Sequence, residues 1–287
     1  MKVTIMQPHG VCGGVERAIS LAKKTREKYP QLPITVLGHL VHNETITLML
    51  EQQGIHSIPC KFYEQKKVLE SIPSGVVIFT AHGHDKSLEE LARKKGLLPV
   101  DATCPFVEMN FQKINAIVQK GEIVFFIGLH GHPEAEAARS ISPFVTIIEP
   151  FEDVPHDTKR PIHILVQTTL SMEEKRKTME RILSSYPTAI VENEVCNATE
   201  IRQESLKKIP SDVDCIIVVG GLQSANTEHL RKIATSLYPQ KKVVKIASKN
   251  DLTTDLKSYS HIALVGGAST LSSDLLDIQE ALLKESQ

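Results

Sequence analysis

Cys12, Cys104 and Cys196 are spaced at two equal intervals of 92 residues. Equal spacing over such distances points to one structural unit used three times, with a sulfur at the same place in each. Units arranged around an axis could bring three thiolates to one point. Three thiolates leave a four-coordinate shell open. An iron–sulfur cluster with one reactive iron needs that arrangement. Soft thiolates select zinc, Cu(I) or iron–sulfur centres. Structural zinc normally uses closely spaced cysteine pairs, and this chain has none. Each of the three cysteines opens a helical pattern, where free N–H groups and the helix dipole stabilise thiolate and cluster charge. The plainer alternative is three inert cysteines carried by a repeat. Cys215, in the apolar run DCIIVV, and Cys60, after Pro59 and without a counterpart, both read as structural.

The elements that must position these sulfurs repeat as well. Apolar residues at helical spacing follow each cysteine: Val15, Ala18, Ile19 and Ala22, then Val107, Phe111, Ile114 and Val118, then Ala198, Ile201, Leu206 and Ile209. A strand comes next in each unit, at 34–40, 123–129 and 215–222. Each strand runs into a polar loop: HNE at 42–44, HPE at 132–134 and ANTE at 225–228. His42, His132 and Asn226 lie 30, 28 and 30 residues after their cysteines. Further strands follow at 56–58, 145–148 and 243–247. Later ones, at 76–83, 164–171 and 262–270, end in small polar residues. LPVDATC and AIVENEVC read as strands leading into the second and third cysteines. The expected fold class is α/β: three pseudo-symmetric α/β domains with mostly parallel sheets around a central iron–sulfur site. The expected domains are 13–103, 104–195 and 196–287, with residues 1–12 adding a strand to the last. In such sheets ligands bind at the carboxyl ends of the strands, where all these loops fall.

The whole chain sets outer limits. Its 287 residues suffice for two or three domains. A net charge of −1 provides no global attraction for nucleic acid or an anionic membrane. The N-terminus lacks a signal-peptide apolar region, and the longest apolar runs fall well short of a membrane span. The expected location is cytoplasmic, where five cysteines read as metal or catalytic groups before disulfides. The helix MEEKRKTMERIL reads as a solvated face with at most weak docking of an electron donor.

The stretches HGVCGGVERAI (9–19), LVHNETI (40–46), FTAHG (79–83), DATCP (101–105) and HGHPEAE (130–136) resemble the 4-hydroxy-3-methylbut-2-enyl diphosphate reductases, the IspH/LytB family. VQTTLS (166–171), VCNATEIRQE (195–204), VVGGLQSANT (218–227) and GGAS (266–269) extend the resemblance over nearly the whole chain. It implies three α/β domains around a [4Fe–4S] cluster held by Cys12, Cys104 and Cys196, with one iron not ligated by protein. Such an iron is oxygen-labile, so three-iron or apo protein is an expected isolation product. The implied reaction is the two-electron reductive dehydroxylation of the allylic diphosphate to isopentenyl and dimethylallyl diphosphate. Reduced ferredoxin or flavodoxin is the implied electron donor. The resemblance makes Glu134 the proton donor and Thr168 its hydroxyl partner. It places His42, His82, His132, Ser224, Ala225, Asn226 and Ser269 at the diphosphate, and counts His132 with Glu134 and Thr168 among the catalytic residues. Ala225 departs from the family's serine, leaving only its backbone N–H to contribute. The proline expected after Ser269 is also missing.

Each assignment has a plainer reading beside it. His42 and His132 can cap helices, and His82 can serve a turn. Glu134 can be an ordinary first-turn acid, and β-propensity explains threonines at 168 and 169. His84, His130, His156, His163 and His229 read as surface or supporting groups. Two rival functions remain at this stage. Quinolinate-synthase-like chemistry would use the open iron for condensation and dehydration; HPE and the three histidines argue against it. A non-catalytic iron–sulfur sensor would not need an acid beside the cluster.

Overall fold

A computed structural model describes residues 1–155, 159–193 and 196–284. The strands in chain order are β1 (Lys2–Ile5), β2 (Ile34–Leu37), β3 (Ile55–Ile58), β4 (Val76–Phe79), β5 (Leu98–Asp101), β6 (Ile123–Ile127), β7 (Val145–Ile148), β8 (Ile162–Val166), β9 (Ile190–Val191), β10 (Cys215–Val219), β11 (Lys242–Ile246) and β12 (His261–Gly266). The helices are α1 (Gly13–Lys28), α2 (Glu44–Glu51), α3 (Gln65–Ser71), α4 (Ser87–Lys94), α5 (Pro105–Gln119), α6 (Pro133–Ser140), α7 (Met172–Ser185), α8 (Ala198–Leu206), α9 (Ala225–Leu237) and α10 (Ser272–Lys284).

The strands form three four-stranded sheets, ordered β3-β2-β4-β5, β7-β6-β8-β9 and β1-β12-β10-β11. Every ladder among the described residues is parallel, a stricter arrangement than the mostly parallel one expected. The three orders are one pattern. The strand after each cysteine's helix pairs with the next two strands of its unit. The outermost strand is the one that leads into a cysteine: β5 into Cys104, β9 into Cys196 and β1 into Cys12.

The chain divides into two compact units. One comprises Met1–Glu16, Val41–Met49 and Asn197–Gln287, and holds the sheet of β1 and β10–β12. The other comprises Arg17–Leu40 and Leu50–Cys196, and holds the remaining two sheets.

Central strands of parallel sheets are covered on both faces and read as continuous apolar runs. In the first unit CIIVV is buried throughout β10. Ile216 and Val218 face a cluster with Leu206 and Leu230, while Cys215, Ile217 and Val219 face one with Leu275 and Ile278. In the second unit, Phe126 packs with Phe111 and Ile114 of α5, and Phe125 with Ile182 of α7.

Helix starts follow local chemistry. Pro105 and Pro133 stand at first helical positions, where no amide partner is lost. Ser171 and Glu174 form a reciprocal capping box at α7.

Helix α8 corrects one expectation. Its apolar spacing placed Ile201 in the core, but Ile201 is 47% exposed. Thr199, Arg202, Gln203 and Ser205 are buried instead. The inward polar face has work to do: the Arg202 guanidinium donates to the Gly10 carbonyl at 2.6 Å.

Candidate active site

In the second unit, β6 ends at Ile127 and the chain turns through 128–132 into α6. His132 is the N-cap, and its Nδ1 accepts the Glu134 N–H at 3.2 Å. With Nδ1 accepting, the neutral ring carries its proton on Nε2. The capping role and the anion-binding role are thus compatible on one ring. The His82 ring, from the turn after β4, meets His132 edge to face with centroids 5.9 Å apart.

Glu134 is 1% exposed. Its Oε1 accepts the Thr168 N–H at 2.9 Å and its Oε2 accepts the Thr168 hydroxyl at 2.7 Å. Burial pushes the carboxyl up to about 7, against the pull of the Thr168 bonds. An acid of this kind is divided between its two protonation states near neutrality, as proton donation requires. Thr168 lies beyond the end of β8, so strand propensity does not explain it.

Two supports of this turn carried no signal in the sequence reading. Gln167 is buried; its Oε1 accepts the Leu129 N–H at 3.0 Å and its amide donates to Thr169 Oγ1 at 2.7 Å. Glu136 accepts the Gly131 N–H at 2.9 Å and is paired with Arg139. Glu136 lies two residues from Glu134, and Gln167 is 33 residues away and next to Thr168; neither spacing has a periodic signature.

The Cys104 turn lies in the same unit. Cys104 is the N-cap of α5, and its N–H donates to Ala81 O at 2.9 Å. The turn carrying His82 needs glycine next, because a Cβ on Gly83, at φ +92°, would stand 2.5 Å from the Phe111 ring. Cys196 closes this unit as a half-buried thiol.

The first unit repeats the cysteine tie: the Cys12 N–H donates to Ala268 O at 2.8 Å. His42, Asn43 and Ser269 form one assembly. The Ser269 hydroxyl donates to His42 O at 3.3 Å, and the Asn43 amide donates to Ser269 O at 2.8 Å. Gly221 lies so close to the His42 carbonyl that a Cβ there would collide with it. Ser224 caps α9 and accepts the Thr227 N–H at 3.3 Å, while Ala225 begins the helix. Asn226 is buried, and neither polar atom of its side chain has a hydrogen-bond partner among the described residues. A buried amide in that state at a helix N-terminus suits a polyanionic ligand.

The remaining expectations divide. Cys215 is core, its thiol pushed up to about 12 by burial and by Asp214; Cys60 is pushed up to about 11 by burial and by Glu64. His130 is exposed. His84, His163 and His229 are buried rather than on the surface. His156 lies outside the described residues.

The family model described as LytB protein matches residues 3–283. The chain belongs to the LytB family. Among its relatives, the 4-hydroxy-3-methylbut-2-enyl diphosphate reductase of Symbiobacterium thermophilum is 34% identical over 275 residues, covering 94% of this chain and 92% of that protein. The Bacillus subtilis protein of the same name is also 34% identical, covering 94% and 87%. The solved structure of the E-1-hydroxy-2-methyl-but-2-enyl-4-diphosphate reductase from Plasmodium falciparum superposes with a TM-score of 0.86 at 27% identity, covering 97% of this chain and 87% of that one.

The family implies an iron–sulfur cofactor, and the donor set fits one. Among the described residues no disulfide forms. Cys12, Cys104 and Cys196 are all half-buried; Cys12 and Cys104 directly precede α1 and α5, and Cys196 stands one residue before the Asn197 cap of α8. Such thiols are accessible to iron and placed where a thiolate is stabilised. Cys215, sealed in β10, is not.

Proposed function

We propose that this chain reduces 4-hydroxy-3-methylbut-2-enyl diphosphate. The allylic C–O bond breaks, two electrons and two protons are taken up, and the products are isopentenyl or dimethylallyl diphosphate and water. The observation that carries this reading is Glu134, a buried carboxyl held at about 7 with both oxygens on Thr168. Hydroxide is a poor leaving group, so the reaction needs a proton source that stays loaded at neutral pH.

In this reading Cys12, Cys104 and Cys196, one from each of the units 13–103, 104–195 and 196–287, hold a [4Fe–4S] cluster with one iron free of protein ligands. When bound, the cluster supplies single electrons and a Lewis acid for the departing oxygen. Glu134 holds the proton, and the Thr168 hydroxyl orients the carboxyl and passes the proton toward the substrate oxygen. His42, His82 and His132 donate to the diphosphate, with Ser224, Asn226, Ser269 and the Ala225 N–H. Histidine N–H donors and backbone amides suit the several negative charges that this ligand brings in. Electrons come from reduced ferredoxin or flavodoxin.

The test is anaerobic turnover. The chain is purified without oxygen, reduced, and given the hydroxylated diphosphate. Formation of either isoprenoid diphosphate is the expected result. A protein that holds an intact cluster and forms neither product sinks the proposal.

A further inference from the structure

Cys104 is flanked by two acids of opposite placement in the chain. Asp101 ends β5, three residues before the thiol, and Glu108 lies in the first turn of α5, four residues after it. One ammonium reaches both. Lys86 Nζ donates to Asp101 Oδ2 at 2.6 Å and forms an ion pair with Glu108 Oε2 at 3.3 Å. It also stands 3.4 Å from Glu89 Oε1. The other oxygen of Asp101 accepts the Thr103 N–H at 2.8 Å, directly before the cysteine. Lys86 itself comes from the start of α4, four residues after His82.

Behind this network lies His84, buried and stacked on Phe79 at 3.9 Å, with Nε2 3.2 Å from Glu89 Oε1. His84, Glu89 and Asp101 have the geometry of a cation site, and the Lys86 ammonium already stands among the carboxylates. Burial holds His84 below the usual histidine range, so the positive charge among these carboxylates is that of Lys86 and, at the far oxygen of Glu89, Arg93. Burial works against charge on Lys86, yet Asp101, Glu108 and Glu89 together hold the ammonium above its ordinary range.

We propose that Lys86 is a positioning residue for Cys104: its ammonium bridges Asp101 and Glu108 and so closes the turn that presents the thiol. The proposal rests on the reading above in which Cys104 is a cluster ligand. Lys86 is half-exposed, so solvent screens each pair. The effect comes from one charge shared by acids on both sides of the turn, a network rather than an isolated surface pair.

The experiment uses the full-length chain and its Lys86→Gln and Lys86→Arg variants, purified anaerobically. Amide exchange is followed at Thr103 and Cys104, with β6 as an internal control. Iron loss to a chelator and the melting temperature are measured on the same samples. Lys86→Gln should speed exchange at Thr103 and Cys104 about fivefold and accelerate iron loss, with β6 exchange unchanged. Lys86→Arg, which keeps the charge and a fork for two carboxylates, should restore both. Unchanged exchange at Thr103 and Cys104 in Lys86→Gln overturns the proposal, as does equal loss in Lys86→Arg. A general loss of stability would move β6 and the melting temperature too, and also counts against it. If the wild-type chain binds no iron, the cluster reading fails while the exchange comparison still judges Lys86.

Discussion

Glu134 and Glu228 are first-turn acids of corresponding helices in two repeats, at the second helical position of α6 and the fourth of α9. Each follows a central strand, β6 or β10, and lies in the first turn of the next helix, α6 or α9. Their fates are opposite. Glu134 is enclosed, its oxygens are taken by Thr168, and burial lifts it to about 7. Glu228 is partly exposed and paired with Arg231 at 2.6 Å and Lys245 at 2.7 Å; the hydrogen bond from Arg231 leads in pulling it down to about 2. The difference is made by neighbours. One helical step on, at i+3, Glu134 has Ala137 and Glu228 has Arg231. Across from α9, β11 supplies Lys245; the corresponding β7 supplies the buried pair Ile147 and Ile148. Corresponding helices of two repeats can therefore carry first-turn acids whose titration is shifted in opposite directions.

The sharpest way to break this contrast is Glu134→Gln. Turnover should fall about 10²–10⁴-fold while the cluster spectrum is unchanged; normal turnover would remove Glu134 from the mechanism. The wild-type rate should also decline as pH rises through about 7. Stability follows the same proton. Because the folded carboxyl is raised, the native state holds a proton that the unfolded chain has released, and stability falls between about pH 4.5 and 7. Glu134→Gln should flatten that slope in denaturant titrations, a difference of up to ~3 kcal/mol. Thr168→Val keeps the N–H bond and deletes the hydroxyl. It should cost about 10–100-fold in turnover and move the kinetic pKa further up, since the hydroxyl pulls it down. On the other side of the comparison, Glu228→Gln should leave turnover within about twofold and change stability by less than ~1 kcal/mol. A large catalytic loss there would show that the two acids are not distinct in role. The smallest effect is expected from Ala225→Ser, which restores a hydroxyl at the start of α9. KM should fall about threefold with kcat unchanged, the value of one net hydrogen bond.

The sheets were legible because their code is strong. IVFFI, CIIVV and VTII are apolar runs between turn signals, and the structure has strands there. The α/β class and the repeated succession of strands follow from them; the order of strands within each sheet does not. What was not legible depends on contacts remote in sequence. Ile201 satisfies the helical spacing, yet α8 turns its polar side inward because Arg202 holds Gly10, 192 residues away. Lys86 carries no mark in the sequence, because Asp101 and Glu108 come to either side of it only in the fold. The opposite titration of Glu134 and Glu228 was hidden for the same reason, since HPE and NTE do not say what faces the carboxyl.

The hydroxyl of Ser224 has a consequence for ligand sensing. As the cap of α9 it accepts the Thr227 N–H, and that acceptance polarises its own O–H. A phosphate oxygen taking this proton would strengthen the bond on the other side, and with it the first turn of the helix. If diphosphate binds there as proposed, its occupancy and order at the α9 start become one equilibrium, and the Thr227 amide should exchange more slowly as diphosphate is added.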